Sequence, residues 1–119
     1  MTSLADTTQE FALFRKRLSS LDAALVDLFL NRLSRWRDDE TTVEDLVAEL
    51  DRTLGHIWFS SNEAHATVAL IIARLRDTVA AIGGMTMNER LYAFGLFDRW
   101  DRSTDAERDV LYKKVLAQR

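Results

Sequence analysis

Apolar residues recur along most of this chain at steps of three and four, the period of helices that bury one face. The first run is the longest: Phe11, Phe14, Leu18, Leu21, Leu25 and Leu28, sliding onward to Phe29, Leu33 and Trp36. Ser19-Ser20 followed by Asp22 could restart a helix there, but the stripe passes through in phase and no glycine or proline intervenes. The pattern therefore predicts one helix over 7–38, roughly 45 Å long at 1.5 Å per residue. Val43, Leu46, Val47, Leu50, Leu54 and Ile57 predict a second helix over 42–58, with an acidic opposite face. Val68, Ile71, Ile72, Leu75, Val79 and Ile82 predict a third over 62–82, closed by Gly83-Gly84, a pair suited to a left-handed cap. In a fourth, over 87–101, Leu91, Tyr92, Phe94, Leu96, Phe97 and Trp100 wrap most of the circumference, which implies burial on several sides. A fifth, over 105–117, carries Val110, Leu111, Val115 and Leu116.

The starts of these helices share one signal. A Ser or Thr followed three residues later by Glu can satisfy two backbone N–H groups of a first helical turn reciprocally. Such pairs stand at Thr7/Glu10, Thr41/Glu44, Ser60/Glu63, Thr86/Glu89 and Thr104/Glu107. The fold class expected is all-α, a bundle of about five helices with a long N-terminal one, forming a single domain over residues 1–119.

Composition narrows the chemistry. The chain has no cysteine, which removes disulfides, thiolate metal sites and cysteine nucleophiles. The first residues show neither a basic region nor an apolar run, so no signal peptide is expected and a cytoplasmic location is the default reading. The most apolar stretch, 64–75, is interrupted by Thr67 and Arg74 and falls short of the roughly 20 residues a membrane span requires. A net charge of -3 offers no general attraction to nucleic acid or to anionic lipid, so neither partner is expected. His56 and His65 lie on either side of a predicted helix break, outside any metal-ligand spacing, so no metal and no cofactor are expected. No nucleophile elbow or phosphate loop occurs.

One segment does carry a specific pattern. Arg15-x-x-Leu18-x-x-Leu21-Asp22-x-x-Leu25-Val26-x-Leu28-Phe29-x-x-Arg32 resembles the long first helix of the all-helical chorismate mutases. The resemblance implies a long helix followed by two shorter ones, an intertwined dimer, and a role for Arg15 and Arg32 in gripping the carboxylates of a small dicarboxylate. The planar guanidinium suits that task. The pattern departs from the family beyond this helix. No lysine lies between Lys16 and Lys113, and Asp38-Asp39-Glu40-Thr41-Thr42-Val43 stands where the family places its catalytic cation and Arg-Glu pair.

Two readings follow. The first is a non-catalytic helical protein, expected to be a homodimer, that binds a protein partner as regulators, antitoxins and immunity proteins do. Its candidate contact residues are Tyr92, Phe94, Phe97 and Trp100, types that dominate binding hot spots but that also serve as ordinary core. The second is a chorismate-mutase-like enzyme or dicarboxylate-binding protein using Arg15 and Arg32.

Overall fold

The computed structural model describes residues 1–116, and every regular element among them is helical. The order is α1 (Leu4–Arg15), α2 (Ser20–Trp36), α3 (Val43–Gly55), α4 (Asn62–Ala80), a 3-10 turn (Ile82–Gly84), α5 (Met87–Ala93), α6 (Phe97–Asp101) and α7 (Asp105–Lys114). The end of the predicted fifth helix, at residue 117, lies outside the described residues.

The expected long first helix is two. Lys16 caps α1, Arg17 and Leu18 donate back to Phe14 and Arg15, and Ser19 swings to an extended conformation (ψ 165). The Ser19 hydroxyl then accepts from Asp22 N and opens α2. What selects the reversal is packing: Phe11 stacks on Phe29 with ring centroids 5.3 Å apart. In one continuous helix those residues would stand about 27 Å apart. Arg15 also reaches Asp27 across the turn, with Nε 2.6 Å from the carboxylate.

The remaining contacts order the rod-like helices as an up-down bundle. Arg32 of α2 meets Glu49 of α3, and Ser60, just before α4, meets Asp22 at the start of α2. Glu10 of α1 pairs with Arg74 of α4, and the Thr78 hydroxyl donates to Thr2 O at 2.5 Å. The close backbone pairings are α1 with α2, α1 with α4 and α3 with α4; α2 and α3 are not among them. Val26, Phe29, Leu33, Val68, Ile72 and Leu75 are among the side chains filling the interior. The 46 × 26 × 22 Å envelope reflects the length of these four helices and the short ones stacked on one end.

That end is closed by α5–α7. Gly95 takes φ +67 and splits the expected fourth helix. Leu96 N donates to Leu91 O (2.9 Å) and Gly95 N to Tyr92 O (3.3 Å), the Schellman pairing that ends a helix in a left-handed residue. The turn lets both Phe94 and Leu96 point inward, whereas Gly83-Gly84, expected to make such a cap, instead forms the 3-10 turn. Phe94 packs on Trp36 (5.9 Å), and Trp36 donates its indole N–H to Thr41 O at 2.8 Å.

Lys114 completes the closure from below the surface. Fully buried, its ammonium donates to Trp36 O and to Asp39 O (2.5 Å), and lies 4.0 Å from the centre of the Trp36 ring. Arg99 donates likewise to Arg37 O. Two cations thus occupy the carbonyl end of α2, where the helix dipole favours positive charge. Burial nevertheless lowers the Lys114 pKa from 10.5 to about 8, against the opposing pull of Asp39.

Two expectations follow. Gly95→Ala costs about 1 kcal/mol, wholly from backbone strain because nothing lies within 4 Å of the added methyl. Gly55→Ala, equally uncrowded and without the positive φ, is neutral or stabilising, and urea titrations of the two variants read the difference. The second concerns pH. Between about pH 8 and 10.5 the unfolded chain holds a proton that folded Lys114 has lost, so stability rises with pH across that window. Measured against Lys114→Met, which lacks this titration, the wild-type chain gains at most about 3 kcal/mol there, and below pH 8 the difference is flat.

Candidate functional site: the outer face of the second helix

Helix α2 has two apolar faces and only one enters the core. Ala23, Val26, Phe29, Leu33 and Trp36 are buried, at the spacing of an inward stripe. The other face carries Leu21, Leu25, Leu28, Arg32 and Arg35, alternating steps of four and three, so these five lie in line along the helix. Leu21 is 83% exposed and Leu28 46% exposed, which corrects the expectation that both belong to the buried stripe. The line divides by chemistry: its N-terminal half is leucine and its C-terminal half arginine.

The loop from α3 to α4 runs beside the leucine half. The expected second helix stops at Gly55 rather than 58, and Trp58 in the loop is 90% exposed. The loop is tied down. Asp22, almost wholly buried, accepts from Ser60 N at 3.0 Å and from the Ser60 hydroxyl at 2.5 Å. Ser60, expected to cap the next helix, is therefore spent on this tether, and Ser61 accepts from Ala64 N in its place. A buried carboxylate thus holds a loop that presents a tryptophan to solvent.

At the arginine half, α2 and α3 part to leave an open groove of about 550 Å³. Leu28 and Ile57 line its apolar side, and Arg32, Arg35, Arg52 and His56 its polar side. Arg32 is committed: it donates to Glu49 at 2.5 Å, to Asp39 at 2.9 Å and to Thr41 at 3.0 Å. Burial works against its charge, but the bonds to Glu49 and Asp39 outweigh that and hold its pKa above the ordinary value. Asp39 is likewise opposed by burial yet held below the usual carboxylate range by the Thr41 N–H and Arg32, with Lys114 adding to the effect. Arg35 and Arg52 are exposed and form no salt bridge among the described residues; Arg35 only leans on Asn31 O at 3.4 Å. His56 is exposed, its Nδ1 2.6 Å from Arg52 O.

No protein-family model matches this chain, and comparison with curated proteins and with solved structures finds no similar protein. The site must be judged on its own geometry.

The residues singled out from sequence are distributed unevenly. Arg32 lines the groove, while Arg15 sits at the α1–α2 turn on Asp27 and does not. Arg15 is raised above its ordinary pKa by that hydrogen bond and charge. Of the four aromatics, Phe94 is core, correcting its place among contact residues: it is needed against Trp36 at the bundle's end. Tyr92 is 74% exposed, Phe97 is at the surface, and Trp100 is half-buried beneath Arg108, whose guanidinium lies 5.4 Å from the ring centre. His65 is exposed on α4, and no group of three or more His, Asp or Glu is placed to hold a metal among the described residues. In the sequence Ile57-Trp58-Phe59, following His56, reads as a partly buried aromatic corner; Ile57 and Phe59 are partly buried, but Trp58, not among the candidate contact residues, is turned out to solvent.

Asp22→Ala removes both acceptors from Ser60, and hydrogen bonds to a charged group are each of the order of 1.5–3 kcal/mol. The variant loses about 2 kcal/mol of stability, and in hydrogen exchange the Ser60 amide loses protection while the α4 interior keeps it.

Proposed function

We propose that this protein works without catalysis, by binding another protein through the outer face of α2 and the α3–α4 loop, in the manner of a small regulator, antitoxin or immunity protein. The observation that carries this reading is Trp58. A tryptophan almost entirely in solvent, on a loop whose backbone is tied at Ser60 by two hydrogen bonds to a buried carboxylate, presents a large apolar area from an ordered segment. Binding then requires little further ordering, and a rigid amphipathic ring is what hot spots use. Leu21 and Leu28 add exposed apolar area on α2, and Leu28 shares a groove with Ile57, the residue before Trp58. Tyr92 and Phe97 form a separate exposed pair on the bundle's end and belong to the same reading as secondary contact residues.

A second reading keeps the dicarboxylate suggested by the first-helix motif. It is favoured by Arg32, Arg35 and Arg52 lining one groove. It would use Arg32 with those two neighbours in place of Arg15, and Arg32 would first have to release Glu49 or Asp39.

One comparison separates the two. Trp58→Ala, a change at the surface, keeps the melting temperature within about 2 °C of wild type and loses the protein that co-purifies with the wild-type chain under crosslinking. Unchanged co-purification would exclude Trp58 from the contact and remove the first reading. A rise in melting temperature with chorismate or prephenate, abolished by Arg32→Ala, would establish the second.

A further inference from the structure

We infer that the occupant of the α2 face is an amphipathic helix of the partner whose own surface is divided as α2 is, with apolar anchors at one end and carboxylates at the other. The inference rests on the protein-binding reading and adds the class and orientation of what binds.

The length comes from the line of residues. Leu21 to Arg35 is fourteen helical steps, about 21 Å along the axis, or roughly four turns. The line repeats at four and three, which matches the spacing of side chains on a second helix laid beside it. Ile57, His56 and Arg52 wall the groove on the α3 side, and Trp58, next to Ile57, stands exposed in the same loop. Of the seams between neighbouring helices of the bundle, α2–α3 lacks the close backbone pairing of the other three, and the groove lies along it.

Charge selects the chemistry of the occupant. The chain as a whole is acidic, at -3, yet in this groove the single carboxylate, Glu49, is already held by Arg32. Arg35 and Arg52 remain as exposed cations beside the apolar floor of Leu28 and Ile57. An acidic segment meets two guanidinium forks there, while a basic segment meets like charge. A second copy laid on this face by a two-fold axis offers the same line of leucines and arginines and, among the described residues of the groove, no free carboxylate, so it leaves Arg35 and Arg52 without an opposite charge. A small dicarboxylate would satisfy the arginines and leave Leu21 and Trp58 bare.

The test uses the full chain and two eighteen-residue helical peptides with the same Leu-x-x-x-Leu-x-x-Leu anchors in one half. One carries glutamates in the other half and the second carries lysines at those positions. Fluorescence anisotropy reads binding, and tryptophan emission reads burial of Trp58. The acidic peptide is expected to bind and shift the emission to the blue, a shift absent in Trp58→Phe. Raising salt from 50 to 300 mM weakens it several-fold, as partly exposed ion pairs require. The double variant Arg35→Glu, Arg52→Glu, which breaks no salt bridge among the described residues, loses the acidic peptide at least tenfold and gains the lysine peptide. Reversing the order of the halves in the acidic peptide weakens it as well, because anchors and charges then face the wrong ends.

Equal binding of both peptides, binding indifferent to the double variant, or no binding at 100 µM would each overturn the inference. So would a dimer in light scattering that the double variant disperses, or acidic-peptide binding that leaves the tryptophan emission unshifted. If the peptides fail while Trp58→Ala still strips the natural partner, the protein-binding reading stands and only the acidic helix falls. If Trp58→Ala leaves that partner in place, both fall.

Discussion

The burial of the Lys114 ammonium against the end of α2 is the constraint around which the rest is arranged. An ammonium inside a protein is costly unless oxygen atoms surround it, and here Trp36 O, Asp39 O and, at 3.5 Å, the Asp39 carboxylate do so. To present those oxygens, α2 must stop at Trp36 and the acidic loop must fold back over its end. Arg32 and Thr41 then fix Asp39 from the other side. The same loop sets where α3 begins, with Thr42 accepting from Asp45 N. The position of α3, and with it the width of the α2–α3 seam, is therefore tied to a cation supplied from α7.

This arrangement separates two uses of similar side chains. The residues that make the bundle cohere, Phe11 on Phe29 and Phe94 on Trp36, are aromatic and fully buried. The residues offered to solvent, Leu21, Leu28 and Trp58, are no less apolar. Their exposure is not a failure of packing, because the polar contacts around them are satisfied: Asp22 with Ser60, Arg32 with Glu49, and no buried side-chain nitrogen or oxygen without a partner among the described residues. An apolar strip bordered by completed polar networks is the form a recognition surface takes.

How much of this could be read in the sequence depended on the range of the interaction concerned. The Thr86/Glu89 and Thr104/Glu107 capping boxes form as expected, because each is complete within four residues. The box at Ser3 uses Asp6 in place of Glu and was invisible to a Glu-based pattern, while Thr7 turned inward and bonds Ser3 O from within α1. Thr42 and Ser61 lie one residue beyond the expected caps, since Thr41 is needed by Arg32 and Ser60 by Asp22. The break at 16–19 was signalled by Ser19 and Asp22 but decided by Phe11 meeting Phe29, a contact no local pattern contains. The candidate surface was hidden for a related reason. Leucine at helical spacing is the same mark for an inward and an outward stripe, and only the direction of the chain after the turn tells which is which. The burial of Lys114 has no local mark at all, because its partners lie 75 and 78 residues earlier.

That separation has a consequence for how the protein is made. A ribosome adding about 5–20 residues each second needs several seconds to go from Trp36 to Lys114. Throughout that interval the end of α2 has only water for its last carbonyl, and the loop that starts α3 has no cation to gather around. The α1–α2 hairpin can close as soon as it emerges, so synthesis leaves a half-built rod whose inward stripe, Val26 to Trp36, waits for the later helices and their lid.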